Sequence, residues 1–199
     1  MYVQITTKCN MACEHCGMNC NKQDGENMSF ETFKEALKHD DHITIGGGEP
    51  TIHPQFEKFL LYALGKCENI FIITNGKKTD TALGLASLND MSEYQFGAEL
   101  SQDPYHDPID EKVVKAFEGH IRDTSQKPIN AGRCDWGNNE CICEDMFVKP
   151  NGDVYQCGCD DSPKVGNVFD DTVKPMNSTE DDWGEWICHK QVQQIEEAA

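Results

Sequence analysis

The stretch Tyr2-Val3-Gln4-Ile5-Thr6-Thr7-Lys8-Cys9-Asn10-Met11-Ala12-Cys13-Glu14-His15-Cys16 sets an alternating, β-branched run directly against three cysteines spaced CxxxCxxC. Residues 2–7 predict a strand, and the cysteines a loop at its carboxyl end. Three thiolates this close together can converge on one soft metal centre, zinc or an iron–sulfur cluster. The spacing differs from that of structural zinc sites, which pair two CxxC knuckles or a CxxC with two histidines. Three cysteines on a 4Fe–4S cluster also leave one iron open for chemistry.

Outward from this loop, strand and helix alternate. Ser29 is placed to cap a helix through about residue 39, with Phe30, Phe33, Ala36 and Leu37 on one face. A short strand over 42–45 runs into Gly46-Gly47-Gly48-Glu49-Pro50. Pro54 can open a second helix whose stripe is Phe56, Phe59, Leu60, Ala63 and Leu64, with Gly65 near its end. Residues 69–74 form an apolar strand ending in Asn75-Gly76, 79–88 a weaker helix, 94–100 a fourth strand and 109–118 a fourth helix. Four strand–helix units imply parallel strands with crossover helices, as a barrel or an open α/β sheet. In both, functional groups gather at the carboxyl ends of the strands. The cysteine loop, the glycines, Thr74-Asn75-Gly76 and the stretch Ser101 to His106 all fall there.

Near residue 120 the alternation stops, with room for one more short strand at His120-Ile121. The chain then turns rich in cysteine and glycine. Met146-Phe147-Val148 and Val154-Tyr155 flank Pro150-Asn151-Gly152-Asp153, and Asn-Gly between apolar runs signals a hairpin. Such a hairpin returns Cys157 and Cys159 toward Cys141 and Cys143. Gly166-Asn167-Val168-Phe169 reads as a short extended piece, and 181–197 as a terminal helix carrying Trp183, Trp186 and Cys188.

Seventeen basic and 35 acidic residues give a formal net charge of −18. So acidic a surface repels phosphate backbones and disfavours a nucleic-acid polymer as partner. The eleven cysteines are odd in number and locally clustered, unlike a disulfide framework. The opening residues read as strand rather than as a secretory signal. No run approaches the ~18 apolar residues of a membrane span. The expected setting is a reducing cytoplasm with thiolates as ligands.

Taken together, Cys9, Cys13 and Cys16, then Gly47-Gly48-Glu49-Pro50, then Thr74-Asn75-Gly76 and Ser101-Gln102-Asp103 resemble the motifs of the radical S-adenosylmethionine (radical SAM) enzymes, in the same order and at the same strand ends. The resemblance covers about residues 1–105. It implies a partial parallel (βα) barrel, shorter than six units, followed by a small cysteine-rich β-hairpin plus helix segment. The corresponding division is residues 1–122 for the barrel and 123–199 for the appendage. By the resemblance, Cys9, Cys13 and Cys16 hold three irons of a 4Fe–4S cluster whose fourth iron takes the methionyl amine and carboxylate of SAM. Gly47, Gly48, Glu49, Asn75, Ser101, Asp103 and His15 are then the SAM-contacting set, with Glu49 orienting the loop or meeting the ammonium and His15 stacking near the adenine. His106 is the one candidate for a catalytic role. One-electron reduction of SAM gives methionine and a 5′-deoxyadenosyl radical that abstracts hydrogen from substrate, and a flavodoxin- or ferredoxin-type protein is the implied donor.

The second cysteine group resembles the auxiliary-cluster segments of that superfamily, SPASM and its shorter Twitch form. It implies a second 4Fe–4S cluster on Cys141, Cys143, Cys157 and Cys159, with Cys188, Cys134 or a substrate atom as other fourth ligands. It departs from the full pattern in its tight Cys141-Ile142-Cys143 and in lacking a terminal CxxC. A zinc ribbon is the plain alternative. Cys20 and Cys67 read as ordinary thiols, His42 and His53 as structural. The leading function is oxidation, cross-linking or rearrangement of a peptide, protein or small metabolite. The alternatives are an isomerase or C–C bond former acting on a nucleoside or other small molecule, and a non-catalytic iron–sulfur or zinc protein. The oligomeric state is left open.

Overall fold

A computed structural model describes residues 1–91, 95–123, 128–137, 145–159 and 162–170. Strands β1 (Tyr2–Thr6), β2 (His42–Gly47), β3 (Asn69–Thr74) and β4 (Phe96–Ser101) alternate in sequence with helices α1 (Phe30–Ala36), α2 (Phe56–Leu64), α3 (Thr79–Met91) and α4 (Glu111–Ala116). All four strands run parallel, and a two-residue β5 (Ile121–Arg122) extends them beyond β4. The order within one sheet is β5-β4-β3-β2-β1. The four strand–helix units and the short fifth strand match the reading of the sequence.

Period-two burial separates the two faces of this sheet. Val3, Ile45, Ile72 and Ala98 stand in register across β1 to β4, all buried. They pack on Phe33, Phe59, Leu85, Ala86 and Phe117 from the helical side. Ser29 caps α1 by accepting a hydrogen bond from the Thr32 N–H at 3.0 Å, as its position predicted. On the other face, Phe147, Tyr2, Thr44, Phe71 and Gly97 form a second register row. No helix of the α1–α4 layer covers that row, so the side chains there line a hollow.

The hairpin consists of β6 (Phe147–Val148) and β7 (Asp153–Tyr155), followed by β8 (Lys164–Asn167). Gly152 at φ +87° makes the turn, its N–H donating to the Lys149 carbonyl at 2.9 Å. The sequence reading treated this segment as an appendage. In the structure it continues the sheet: β6 lies parallel to β1, with Tyr2 opposite Phe147 and their rings stacked at 5.0 Å. The whole is one eight-stranded sheet, β5-β4-β3-β2-β1-β6-β7-β8, in which only the β6–β7 and β7–β8 pairings are antiparallel. The helix expected over 181–197, with Trp183, Trp186 and Cys188, lies outside the described residues, as do Cys141 and Cys143. Among the described residues no helix is long and apolar enough to cross a membrane.

At the end of β2 the chain passes directly under β1 and its loop. Gly47 has φ +145°, and a Cβ on it would stand 2.2 Å from the Thr6 carbonyl oxygen. A Cβ on Gly48 would stand 2.1 Å from that of Lys8. The glycines therefore allow the Gly48 N–H to donate to Thr6 at 2.7 Å and the Glu49 N–H to Lys8 at 2.8 Å. Gly48→Ala should destabilise the protein by about 2–4 kcal/mol in urea denaturation, because backbone must move. Gly84→Ala in α3, where a Cβ meets nothing within 4 Å, should be neutral or stabilise by up to about 1 kcal/mol. Equal stability of the two variants would refute the close approach at Gly48.

Candidate active site

Glu49 is 1% exposed and holds the strand ends together. Its Oε1 accepts hydrogen bonds from the Thr51 N–H (3.1 Å), the Thr51 hydroxyl (2.6 Å) and the Thr74 hydroxyl (2.8 Å). Its Oε2 accepts from the Asn75 N–H at 2.7 Å. Burial raises the carboxyl above its ordinary range, and the Asn75 N–H and the two hydroxyls oppose that shift. Both oxygens are thus engaged inside the protein, which suits the loop-orienting role expected of Glu49 more than contact with an ammonium group. Asn75 relays the constraint. Its side-chain amide donates to the Asn10 side-chain oxygen at 2.8 Å and reaches the Cys9 sulfur at 3.6 Å.

The loop carrying Cys9, Cys13 and Cys16 has its three thiols half-buried and outside any disulfide. The Met11 N–H points at Cys9 Sγ from 3.3 Å. Burial pushes the Cys13 thiol up to about 11, and neighbouring Cys9 and Cys16 push in the same direction. Cys9 is also raised, by burial first. Cys16 is held down to about 5, chiefly by a hydrogen bond from Cys20, against the opposing effect of burial. Cys13 thus feels the negative charge of both of its neighbours in the motif. A cationic centre relieves that repulsion, so the donor set fits a soft multi-iron group. Cys20 and Arg133 are supports that the spacing of residues did not reveal. The Arg133 guanidinium donates to the Cys13 carbonyl through Nε (3.1 Å) and Nη2 (3.0 Å), and its backbone N–H donates to the Cys16 carbonyl at 3.0 Å.

At the end of β4 the Asp103 side chain has no exposure and sits between two imidazoles. His15 Nε2 lies 2.9 Å from one carboxylate oxygen and His106 Nδ1 2.8 Å from the other. The Tyr105 N–H donates to Asp103 at 2.9 Å. Burial alone raises this carboxyl. The Tyr105 N–H and the two histidines outweigh it and leave the group below its usual value. His15 also packs against Tyr105 at 5.1 Å and edge-on against His106 at 5.2 Å. The structure thus brings His15, Asp103 and His106 together beside the cysteine loop, while Ser101 closes β4 two residues earlier. His15 Nδ1 and Gln102 Oε1 are buried polar atoms without a hydrogen-bond partner among the described residues, and a polar ligand would satisfy them. Asp107 ties the cysteine loop to the start of α3 through Lys22 (3.2 Å) and Lys77. His53 is structural, as expected, with Nε2 3.1 Å from the Met28 carbonyl.

The sheet face that no described helix covers borders a cavity of about 470 Å³. His15 and Met18 of the cysteine loop border it on one side, Phe147 and Cys159 of the hairpin on another, and Glu99 and Arg122 on β4 and β5. Cys157 and Cys159 are both buried, and the Cys157 N–H donates to Ser162 at 2.9 Å. Cys134, raised as another ligand, is buried beside the residues that underpin the cysteine loop.

A family model described as the radical SAM superfamily matches residues 3–120, more than half of the chain. Mycofactocin maturase MftC of Mycobacterium tuberculosis is 32% identical over 78 residues, covering 37% of this chain and 20% of that protein. The antilisterial bacteriocin subtilosin biosynthesis protein AlbA of Bacillus subtilis is 30% identical over 78 residues, covering 37% of this chain and 17% of that protein. The matched part thus spans about a fifth of the length of these curated relatives. Among solved structures, Streptococcus suis SuiB bound to S-adenosylmethionine superposes with a TM-score of 0.50 at 14% identity, over 86% of this chain and 64% of that one. This is a likeness of fold.

Glu49→Gln replaces acceptors by an amide N–H facing donors and should cost about 3 kcal/mol at neutral pH. The two buried carboxyls should also leave opposite marks on stability against pH. Asp103, held low, contributes stability above its unfolded pKa that is lost as pH falls through its folded value. Glu49, held high, contributes stability below its unfolded pKa that is lost as pH rises through its folded value. In urea titrations, the wild type's advantage over Asp103→Asn should hold from about pH 8 to about pH 4 and shrink only below that, whereas its advantage over Glu49→Gln should already grow between about pH 8 and about pH 4. Parallel curves would show that neither environment is as described.

Proposed function

The chain belongs to the radical SAM superfamily, and from that premise we propose that it is an enzyme that cleaves SAM reductively and modifies a peptide. The observation that carries this reading is the placement of Cys9, Cys13 and Cys16 on the loop that follows β1, with Asn75 reaching Cys9 and the His15–Asp103–His106 group beside that loop. When bound, a 4Fe–4S cluster with SAM supplies one-electron cleavage of a sulfonium C–S bond and, through it, removal of a hydrogen atom from substrate. Cys9, Cys13 and Cys16 would hold the cluster. Asn75 steadies Cys9, and Arg133 fixes the backbone between Cys13 and Cys16. Gly47 and Gly48 bring the β2 end against the loop, and Glu49 locks β2 to β3. Ser101, Asp103 and His15 would border SAM, and His106 orients Asp103. The uncovered sheet face admits the substrate.

The similarity to a maturase and to a bacteriocin biosynthesis protein supports a peptide as substrate over a free metabolite. Residues 1–122 would form the SAM-binding unit and 123–199 an auxiliary segment whose hairpin is built into the same sheet. Cys157 and Cys159, with Cys141 and Cys143, would hold a second 4Fe–4S cluster. The placement of Cys159 on the cavity wall favours this role. A flavodoxin- or ferredoxin-type donor and a cytoplasmic setting follow from the same chemistry.

Anaerobic reconstitution tests the reading directly. The native chain should hold about eight irons and Cys9→Ala/Cys13→Ala/Cys16→Ala about four, with an electron paramagnetic resonance signal that SAM perturbs only in the former. Iron that vanishes entirely in the variant would remove the second cluster and leave the cysteines of the hairpin to zinc. A signal indifferent to SAM in the native chain would sink the enzyme reading.

A further inference from the structure

The cavity wall carries two opposite charges that the proposed chemistry does not use. Glu99 stands on β4 and Arg122 on β5. Arg122 is opposite Ser101 in register, so it shares a sheet face with Glu99 two residues before Ser101. Both side chains line the cavity, and neither makes a hydrogen bond or ion pair with a described residue. The lysines at 22, 34, 38, 77, 112 and 164, by contrast, all pair with carboxylates, and Arg133 is spent on carbonyls. Around Glu99 and Arg122 the wall is apolar, from Phe71, Ile73 and the stacked rings of Tyr2 and Phe147. An arginine in such surroundings offers a planar pair of donors suited to a carboxylate, and low-dielectric walls strengthen the interaction. Glu99 on the same wall repels a phosphate dianion but accepts from an N–H group. The remaining acidic residue on the lining, Asp145, faces the Met1 ammonium at 3.7 Å. A chain of net charge −18 repels anions elsewhere on its surface, so a carboxylate is drawn to the guanidinium on this cavity wall.

We propose that Arg122 takes a carboxylate of the substrate peptide and Glu99 an N–H donor beside it, so that the cavity selects peptide segments bearing a carboxylate. The inference rests on the peptide-modifying reading above and adds the chemical class of the segment. The carboxylate comes from an acidic side chain or from a free carboxyl terminus, and these sources can be separated.

Two short randomised peptide libraries, one ending in a free carboxylate and one in a carboxamide, are passed over the immobilised full chain, reconstituted with iron and sulfide and saturated with SAM. Retained peptides are sequenced by mass spectrometry. The wild type should enrich carboxylate-bearing peptides by about tenfold, the size of one good charge-assisted contact. Enrichment confined to the free-carboxylate library assigns the terminus. Enrichment of Asp and Glu in both libraries assigns the side chain. Arg122→Gln should abolish the bias, Arg122→Lys should keep part of it, and Glu99→Gln should weaken retention while preserving it. Thermal melts of all three variants, and their SAM affinity by equilibrium dialysis, should match the wild type. A bias that survives Arg122→Gln, retention without bias, or no retention by a wild type that binds SAM would overturn the proposal. A wild type that fails to bind SAM overturns the enzyme reading instead, and the dialysis arm separates the two.

Discussion

Four hydrogen-bond donors from two strand ends meet on the buried carboxylate of Glu49, and the geometry of the site hangs on that convergence. A carboxylate taken out of water is costly unless every lone pair is matched. Here the match is made by Thr51 just beyond β2 and by Thr74 and Asn75 at the end of β3. The cost of burial is offset only when those strand ends stand in one arrangement. Asn75, fixed by its backbone, then extends its side chain to Cys9 and Asn10. A single buried charge thereby sets where the first thiol lies.

The same sheet serves two solvents. One face is a dry helix-packed core of branched aliphatics and phenylalanines, which gives rigidity. The other keeps polar and charged side chains, Thr44, Glu99 and Arg122, among aromatic rings. Parallel strands are normally covered on both sides. A parallel sheet whose second face carries no described helix leaves room for a ligand, and the loop after β1 brings His15 and Met18 to the rim of that space.

The parts legible in the sequence were those with a period or a fixed local pattern. The helical stripes around Phe33, Phe59 and Val113, the cap at Ser29 and the Asn151-Gly152 turn all carry their geometry locally. The site motifs were legible because each sits immediately after an apolar strand. The union of β6 with β1 was not legible. It depends on two short segments at opposite ends of the described chain, and a two-residue strand has no periodicity to read. Arg133 and Cys20 support the cysteine loop through contacts that no spacing announces. Glu99 and Arg122 did leave a trace. A glutamate within Phe96-Gly97-Ala98-Glu99-Leu100-Ser101 is a charged residue inside an otherwise largely apolar strand. Such a residue marks a face that is not packed. For Glu49 the sequence left two roles open, orienting the loop or meeting the ammonium, and its partners became visible only once β2 and β3 stood side by side.

The pairing of β1 with β6 also fixes an order of events during synthesis. Of the described elements, strand β1 leaves the ribosome before the others, and it is flanked on one side by β2 as soon as that strand forms. Its other edge waits for Phe147 and Val148. At roughly 5–20 residues per second, translation leaves that edge bare for several seconds or longer. A long-range parallel pairing of this kind is slow to close in any case. The nascent chain therefore carries an unsatisfied edge strand right behind its cysteine loop, the situation in which intermolecular strand addition competes with folding. The C-terminal hairpin ends that exposure by sealing the edge of β1.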